Sequence, residues 1–171
     1  AGFFGRRHDL WHIERWFADK TRRITITGFG GQGKTALAGK LARDLARRGF
    51  TVLAYAARPE NIWRKFFLRM LQKLNQTNRA DYASMEPFLE SEQEKANHML
   101  SLLLRQNDGK VVLFLDNLET AQAQQHPYTL TDERLTAWIA AAQGLAGQGL
   151  ILLLTSRWRL PEWPDADHWS L

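Results

Sequence analysis

The sequence predicts an α/β fold of three layers, α/β/α, around a central parallel sheet. Three observations lead there. Runs of strand length recur along the chain: the β-branched ITIT at 24–27 and the apolar VVLFLD at 111–116 and ILLLTS at 151–156. Segments of helical period separate them, so the strands join by right-handed crossovers. The runs at 111–116 and 151–156 have no alternating polar face, which suits strands covered on both sides. At 171 residues the chain is long enough for one domain with a real core.

The elements follow in order. Residues 9–19 read as a short amphipathic helix, with Leu10, Ile13 and Phe17 at helical spacing and Trp16 beside them. Residues 22–28 form a strand that enters a glycine-rich loop. A helix begins at Lys34, carries Leu37, Leu41 and Leu45 on one face and stops at Gly49. Residues 50–57 are a second strand. Pro59 opens a helix to about Asn75, with Ile62, Phe66, Met70 and Leu74 on one side. Residues 76–90 are polar and irregular and read as a surface loop. A helix over 91–106 presents Met99, Leu100, Leu103 and Leu104, and Asp108-Gly109 turns the chain into the strand at 110–116. Residues 121–131 are a second loop. The helix over 132–145 is capped by Thr131, and the strand at 149–157 follows. Residues 168–171 begin a fifth strand, so the sequence reads as a piece of something larger.

Composition excludes several classes. There is no cysteine, so a disulfide scaffold and a cysteine metal site are out, and a cytoplasmic location is the default expectation. No run of about 18 apolar residues exists, so no membrane helix is expected. The net charge of +5 is uneven: residues 1–50 hold 11 Lys+Arg against 4 Asp+Glu, and the rest 12 against 14. The basic excess lies with the glycine loop, which suits an anionic ligand. The plainer reading of Lys40, Arg43, Arg47 and Arg48 is a solvated helix face.

The loop GFGGQGKT fits G-x-x-x-x-G-K-[ST], with Gly28, Gly33, Lys34 and Thr35 at the fixed places. Glycines let the backbone turn tightly and aim successive N–H groups at phosphate oxygens. The helix start adds its positive end. Lys34 is placed to reach the β- and γ-phosphates, and the Thr35 hydroxyl to hold Mg2+. About 80 residues on, the apolar run ends in Asp116, as a Walker-B strand does when its carboxylate supports Mg2+. Glu119 could position or deprotonate an attacking water, or be a plain surface charge. ILLLTSR ends in Arg157, which at a central strand tip could sense a γ-phosphate. Asn78-Arg79-Ala80-Asp81 only faintly matches a guanine-reading box, and it precedes the Walker-B strand. Glu119 also stands where a GTPase needs glycine. His8 and His12 have i,i+4 spacing but no completing carboxylate, so zinc is not expected.

Taken together, these residues resemble the STAND class of P-loop NTPases, in its NB-ARC-like branch of bacterial type. Four stretches carry the resemblance: FFGRRHDL at 3–10, GFGGQGKTALA at 28–38, VVLFLDNLE at 111–119 and ILLLTSR at 151–157. The resemblance implies a P-loop NTPase fold with strand order 5-1-4-3-2, residues 1–171 forming the nucleotide-binding core and residues 1–21 an entry motif and helix on it. It implies that Phe4, Gly5 and Arg6 lie near adenine and ribose. It also implies that Gly28, Gly30, Gly31, Gln32, Gly33, Lys34, Thr35 and Ala36 surround the phosphates of ATP or ADP. Asp116, with Thr35, would support Mg2+, and Arg157 would touch the terminal phosphate.

The sequence departs from that family at two points. Asn117 follows Asp116 where many members carry a second acid, so turnover is expected to be slow or to depend on Glu119. The family's downstream helical and winged-helix segments are absent from this sequence. The leading expectation is the core of a signalling switch: ADP holds a closed state, ATP permits homo-oligomerisation, and effector and sensor domains belong to the same longer chain. A nucleotide-binding structural module without turnover and an AAA+-type DNA-acting ATPase are the alternatives. No aromatic-basic stacking groove is legible, so nucleic acid is not an expected partner. A small-molecule kinase lacks a visible acceptor site.

Overall fold

The computed structural model describes residues 6–18, 22–59 and 62–171. Its elements are α1 (Arg7–Ala18), β1 (Arg23–Thr27), α2 (Lys34–Arg47), β2 (Thr51–Ala56), α3 (Ile62–Lys73), α4 (Gln76–Met85), α5 (Glu92–Gln106), β3 (Val111–Asp116), α6 (Glu133–Leu145), β4 (Leu150–Ser156) and β5 (His168–Ser170). The five strands are all parallel and run β2-β3-β4-β1-β5 across the sheet, which is the expected 5-1-4-3-2 order.

The apolar strands serve both faces of the sheet. Successive side chains of a strand point to opposite faces. Val111, Leu113 and Leu115 of β3 and Leu150, Leu152 and Leu154 of β4 join α3, α5 and α6 in one core. Val112 and Phe114 of β3 and Ile151 and Leu153 of β4 join Ile24, Ile26 and Leu37, Leu41 and Leu45 of α2 in the other. Ile13 of α1 is fully buried in that second core, so α1 lies against α2. Trp138 of α6 anchors the first core, with its ring centroid 5.2 Å from that of Trp63.

Two expectations are corrected. Residues 76–90 are mostly helical: α4 runs to Met85 and a 3-10 turn covers Glu86–Phe88. The segment has no apolar stripe: Tyr82 is its one large side chain buried in the core, and polar contacts add to its hold. Asn75 caps it by accepting from Asn78 N at 2.8 Å. Arg105 of α5 donates to the buried Asn78 side chain at 2.9 Å and meets Asp81 at 3.2 Å. Asn78 and Asp81, the faint guanine box, are thus a joint between helices. The cap of α6 is Asp132, whose Oδ1 accepts from Arg134 N at 2.9 Å and Leu135 N at 3.3 Å. Thr131 instead donates to the Ala121 carbonyl at 3.1 Å.

His168 opens β5 beside Thr25. Its Nε2 accepts from Leu160 N at 3.0 Å, so Nδ1 carries the proton toward the Pro164 carbonyl, 3.1 Å away. Burial pushes its pKa below the ordinary 6.5, and the Pro164 bond only partly opposes that shift. The unfolded chain therefore binds the extra proton first. Stability is expected to be full above pH 6.5 and to fall as pH drops through the folded-state pKa. Urea unfolding at pH 7.5 and 5.5 checks this: the loss on acidification is smaller in His168→Asn than in the unaltered protein.

Candidate active site

The site forms where β1, β3 and β4 end. β4 lies between the other two, with Thr27 beside Ser156 and Leu115 beside Leu154. One more residue along β3 sets Asp116 next to Thr155, and the Thr155 hydroxyl donates to Asp116 Oδ1. The Asn117 N–H donates to Thr155 Oγ1 at 3.0 Å, with Asn117 itself in the left-handed region at φ 59°. The tips of β3 and β4 are thereby locked together.

The loop between β1 and α2 needs its glycines at two positions above all. Gly31 has φ 80° and Gly33, the N-cap of α2, has φ 86°, where a side chain would strain the backbone. Lys34 is 7% exposed and folded back over the loop. Its Nζ donates to the Gly28 carbonyl at 2.7 Å and the Phe29 carbonyl at 3.0 Å. The ammonium thus already sits inside the curl that the glycines make. Thr35, one residue into the helix, donates to Asp116 Oδ1 at 3.0 Å across 81 residues of chain. The motif threonine and the Walker-B carboxylate therefore meet. They form a pair of hard oxygen donors at the mouth of the loop, which is the donor chemistry that Mg2+ takes.

Other expected residues fall around this centre. Gln32 is tied into the loop, its Oε1 accepting from Phe29 N at 2.7 Å. Gly30 and Ala36 are exposed, at the turn of the loop and the first turn of α2. Arg157 is exposed beyond the tip of β4 and leans over the loop: its Nη2 lies 3.8 Å from where a Cβ on Gly30 would stand. Glu119 occupies a 3-10 turn, Leu118–Ala121, with its Oε2 buried and unpartnered among the described residues. Phe4 and Gly5 lie outside the described residues. Arg6 donates to the Gln32 carbonyl at 2.7 Å, pairs with Asp9 at 3.3 Å, and Asp9 in turn accepts from Trp169 Nε1 at 3.2 Å. A chain of bonds therefore clips the phosphate loop to α1 and β5.

That clip was not legible in the sequence, since it joins positions 26 and 160 residues apart. The wall beyond Arg157 was equally hidden. Tyr128 and Trp158 stack with ring centroids 4.6 Å apart and planes 3° apart, and they line a cavity of about 640 Å3 that opens against Gly28 and Phe29. The basic face of α2 is largely paired: Lys40 and Arg47 with Asp44, and Arg48 with Glu14. Lys40 holds the Asp44 carboxyl below its usual pKa. His8 and His12 bond to one another, and among the described residues no three or more His, Asp or Glu side chains cluster so as to hold a metal ion. No helix among them is long and apolar enough to cross a membrane.

The chain matches a known family. The family model described as "AAA ATPase domain" matches residues 2–154. An uncharacterised WD repeat-containing protein of Nostoc sp. is 33% identical over 126 residues, 69% of this chain and 9% of its own length. The chain thus spans about a tenth of the length of that relative. Among solved structures, AMPPCP-bound DnaA from Aquifex aeolicus is similar over 97% of this chain and 44% of its own, at 15% identity and a TM-score of 0.49. PCH-2 of C. elegans is similar over 94% and 36%, at 16% identity and a TM-score of 0.42.

Proposed function

Because the chain belongs to the AAA ATPase domain family, we propose that its P-loop core binds ATP and ADP and acts as the nucleotide-reading part of a STAND-type signalling switch. One observation carries the proposal: the 3.0 Å bond between Thr35 and Asp116. It brings the two residues that a Mg-nucleotide needs to one point.

In this reading Lys34 leaves the carbonyls of Gly28 and Phe29 for the β- and γ-phosphates. The N–H groups of residues 31–36 surround the phosphate chain at the positive end of α2. Thr35 and Asp116 hold Mg2+, which when bound neutralises phosphate charge. Arg6 steadies the loop from the adenine side. Glu119 orients or deprotonates the attacking water. Its unpartnered carboxylate oxygen supports that role, and the amide at Asn117 supports slow turnover. Arg157 contacts the terminal phosphate, so ATP and ADP interact differently with the core.

The WD repeats of the Nostoc relative support a longer chain in which sensing and effector domains flank such a core, with ATP permitting homo-oligomerisation. A cytoplasmic location goes with this reading. A DNA-acting ATPase would instead show duplex binding that weakens steeply with salt.

The experiment is a pair of calorimetric titrations, Mg-ATP and Mg-ADP, on the unaltered protein and Arg157→Ala. The proposal expects a preference between the two nucleotides that Arg157→Ala reduces by about tenfold, the scale of a typical coupling. An unchanged ratio in the variant contradicts it.

A further inference from the structure

Gln122 is 2% exposed, belongs to none of the motifs, and makes three side-chain hydrogen bonds. Its Nε2 donates to the carbonyls of Tyr128 at 2.8 Å and Arg159 at 3.2 Å, and its Oε1 accepts from the Ser156 hydroxyl. We infer that Gln122 is the positioning residue for Arg157, joining the turn that follows Asp116 to the tip of β4 and so setting the nucleotide preference of the site. The inference rests on the reading of Arg157 given above.

The chemistry at this point calls for a carboxamide. Two carbonyls need donors and one hydroxyl needs an acceptor, and an amide offers both on one planar group. A glutamate of the same shape would face the two carbonyls with no proton to give. A leucine would leave the two carbonyls without these donors and the Ser156 hydroxyl without its acceptor in a buried place, with only the 3.4 Å bond from Trp158 N remaining on Ser156.

Position makes the bonds matter for Arg157. Ser156 precedes it and Arg159 lies two residues beyond, so Gln122 fastens the chain on both sides of it. Between those anchors, Trp158 stacks on Tyr128, whose own carbonyl is the third point held. The Arg157 backbone is thus fixed while its side chain stays exposed over Gly30. The same residue closes the turn that carries Glu119, since Gln122 N donates to the Glu119 carbonyl at 3.3 Å.

The test compares Gln122→Glu, Gln122→Leu, Ser156→Ala and Arg157→Ala. Mg-ATP and Mg-ADP affinities are measured by titration and stability by thermal melting. Both Gln122 variants are expected to lower the ATP-to-ADP affinity ratio by about tenfold while ADP affinity stays near that of the unaltered protein. Ser156→Ala, which removes one of the three bonds and the weaker 3.4 Å bond from Trp158 N while sparing the packing, shifts the ratio in the same direction by less. It carries the test where Gln122→Leu does not fold. A merely structural role lowers the melting temperature and both affinities in parallel, and that result overturns the inference. It is also overturned if Arg157→Ala loses the preference while Gln122→Glu and Ser156→Ala keep it. If Arg157→Ala keeps the preference, the reading of Arg157 fails first, and the role of Gln122 goes with it.

Discussion

Lys34→Ala is expected to weaken binding of Mg-ATP and Mg-ADP by about thirtyfold or more. Lys34 is the cation inside the curl of the phosphate loop, and its carbonyl contacts at 2.7 and 3.0 Å leave it within the loop a polyphosphate would enter. Truncating one partner of a desolvated charge pair costs about 2–5 kcal/mol, a loss of thirtyfold or more in affinity. The same change also removes two bonds to the loop backbone of the ligand-free protein. That cost is smaller, on the order of 1–3 kcal/mol, and melting measures it separately. A variant that melts cooperatively but binds nucleotide at least about thirtyfold more weakly is the expected outcome. A variant that binds as tightly as the parent would place the phosphates elsewhere.

The second large effect is at Asp116. Its Oδ1 accepts from Thr35 at 3.0 Å and also from Thr155. Asp116→Asn keeps an acceptor for both hydroxyls but loses the negative charge. Its ligand-free stability is therefore expected to stay within about 1 kcal/mol of the parent, the range of a substitution that leaves no buried group unpaired. What it loses is the response to Mg2+. In the unaltered protein Mg2+ is expected to tighten ATP binding, and in Asp116→Asn the gain disappears. Asp116→Ala removes the acceptor as well, so it destabilises the ligand-free fold by about 1–3 kcal/mol. Paired titrations with Mg2+ and with chelator, alongside melting, separate the two effects. An unchanged Mg2+ dependence in Asp116→Asn would remove the carboxylate from the metal's surroundings.

The readable parts of the fold are those whose signal is local. The apolar runs of β3 and β4 name strands covered on both faces, because each residue must find a core whichever way it points. The phosphate loop is legible because Gly31 and Gly33 take positive φ and Lys34 must follow at once. What escaped depends on contacts between distant positions. α4 has no stripe to read, and Asn75, Asn78 and Arg105 add to its hold through polar bonds. Thr131 and Asp132 are both good caps by type, and only the geometry of Ala121 decides between them. The guanidinium of Arg6 sits on the Gln32 carbonyl, a partner no motif spacing discloses. Gln122 bears no motif at all, and its importance lies wholly in the three segments it meets.

The most direct measurement is a calorimetric titration of the unaltered protein with Mg-ATP, Mg-ADP and Mg-GTP under one set of conditions. The account predicts saturable one-to-one binding of both adenine nucleotides and distinctly weaker binding of GTP. Absence of saturable adenine-nucleotide binding by a cooperatively folded protein would contradict it.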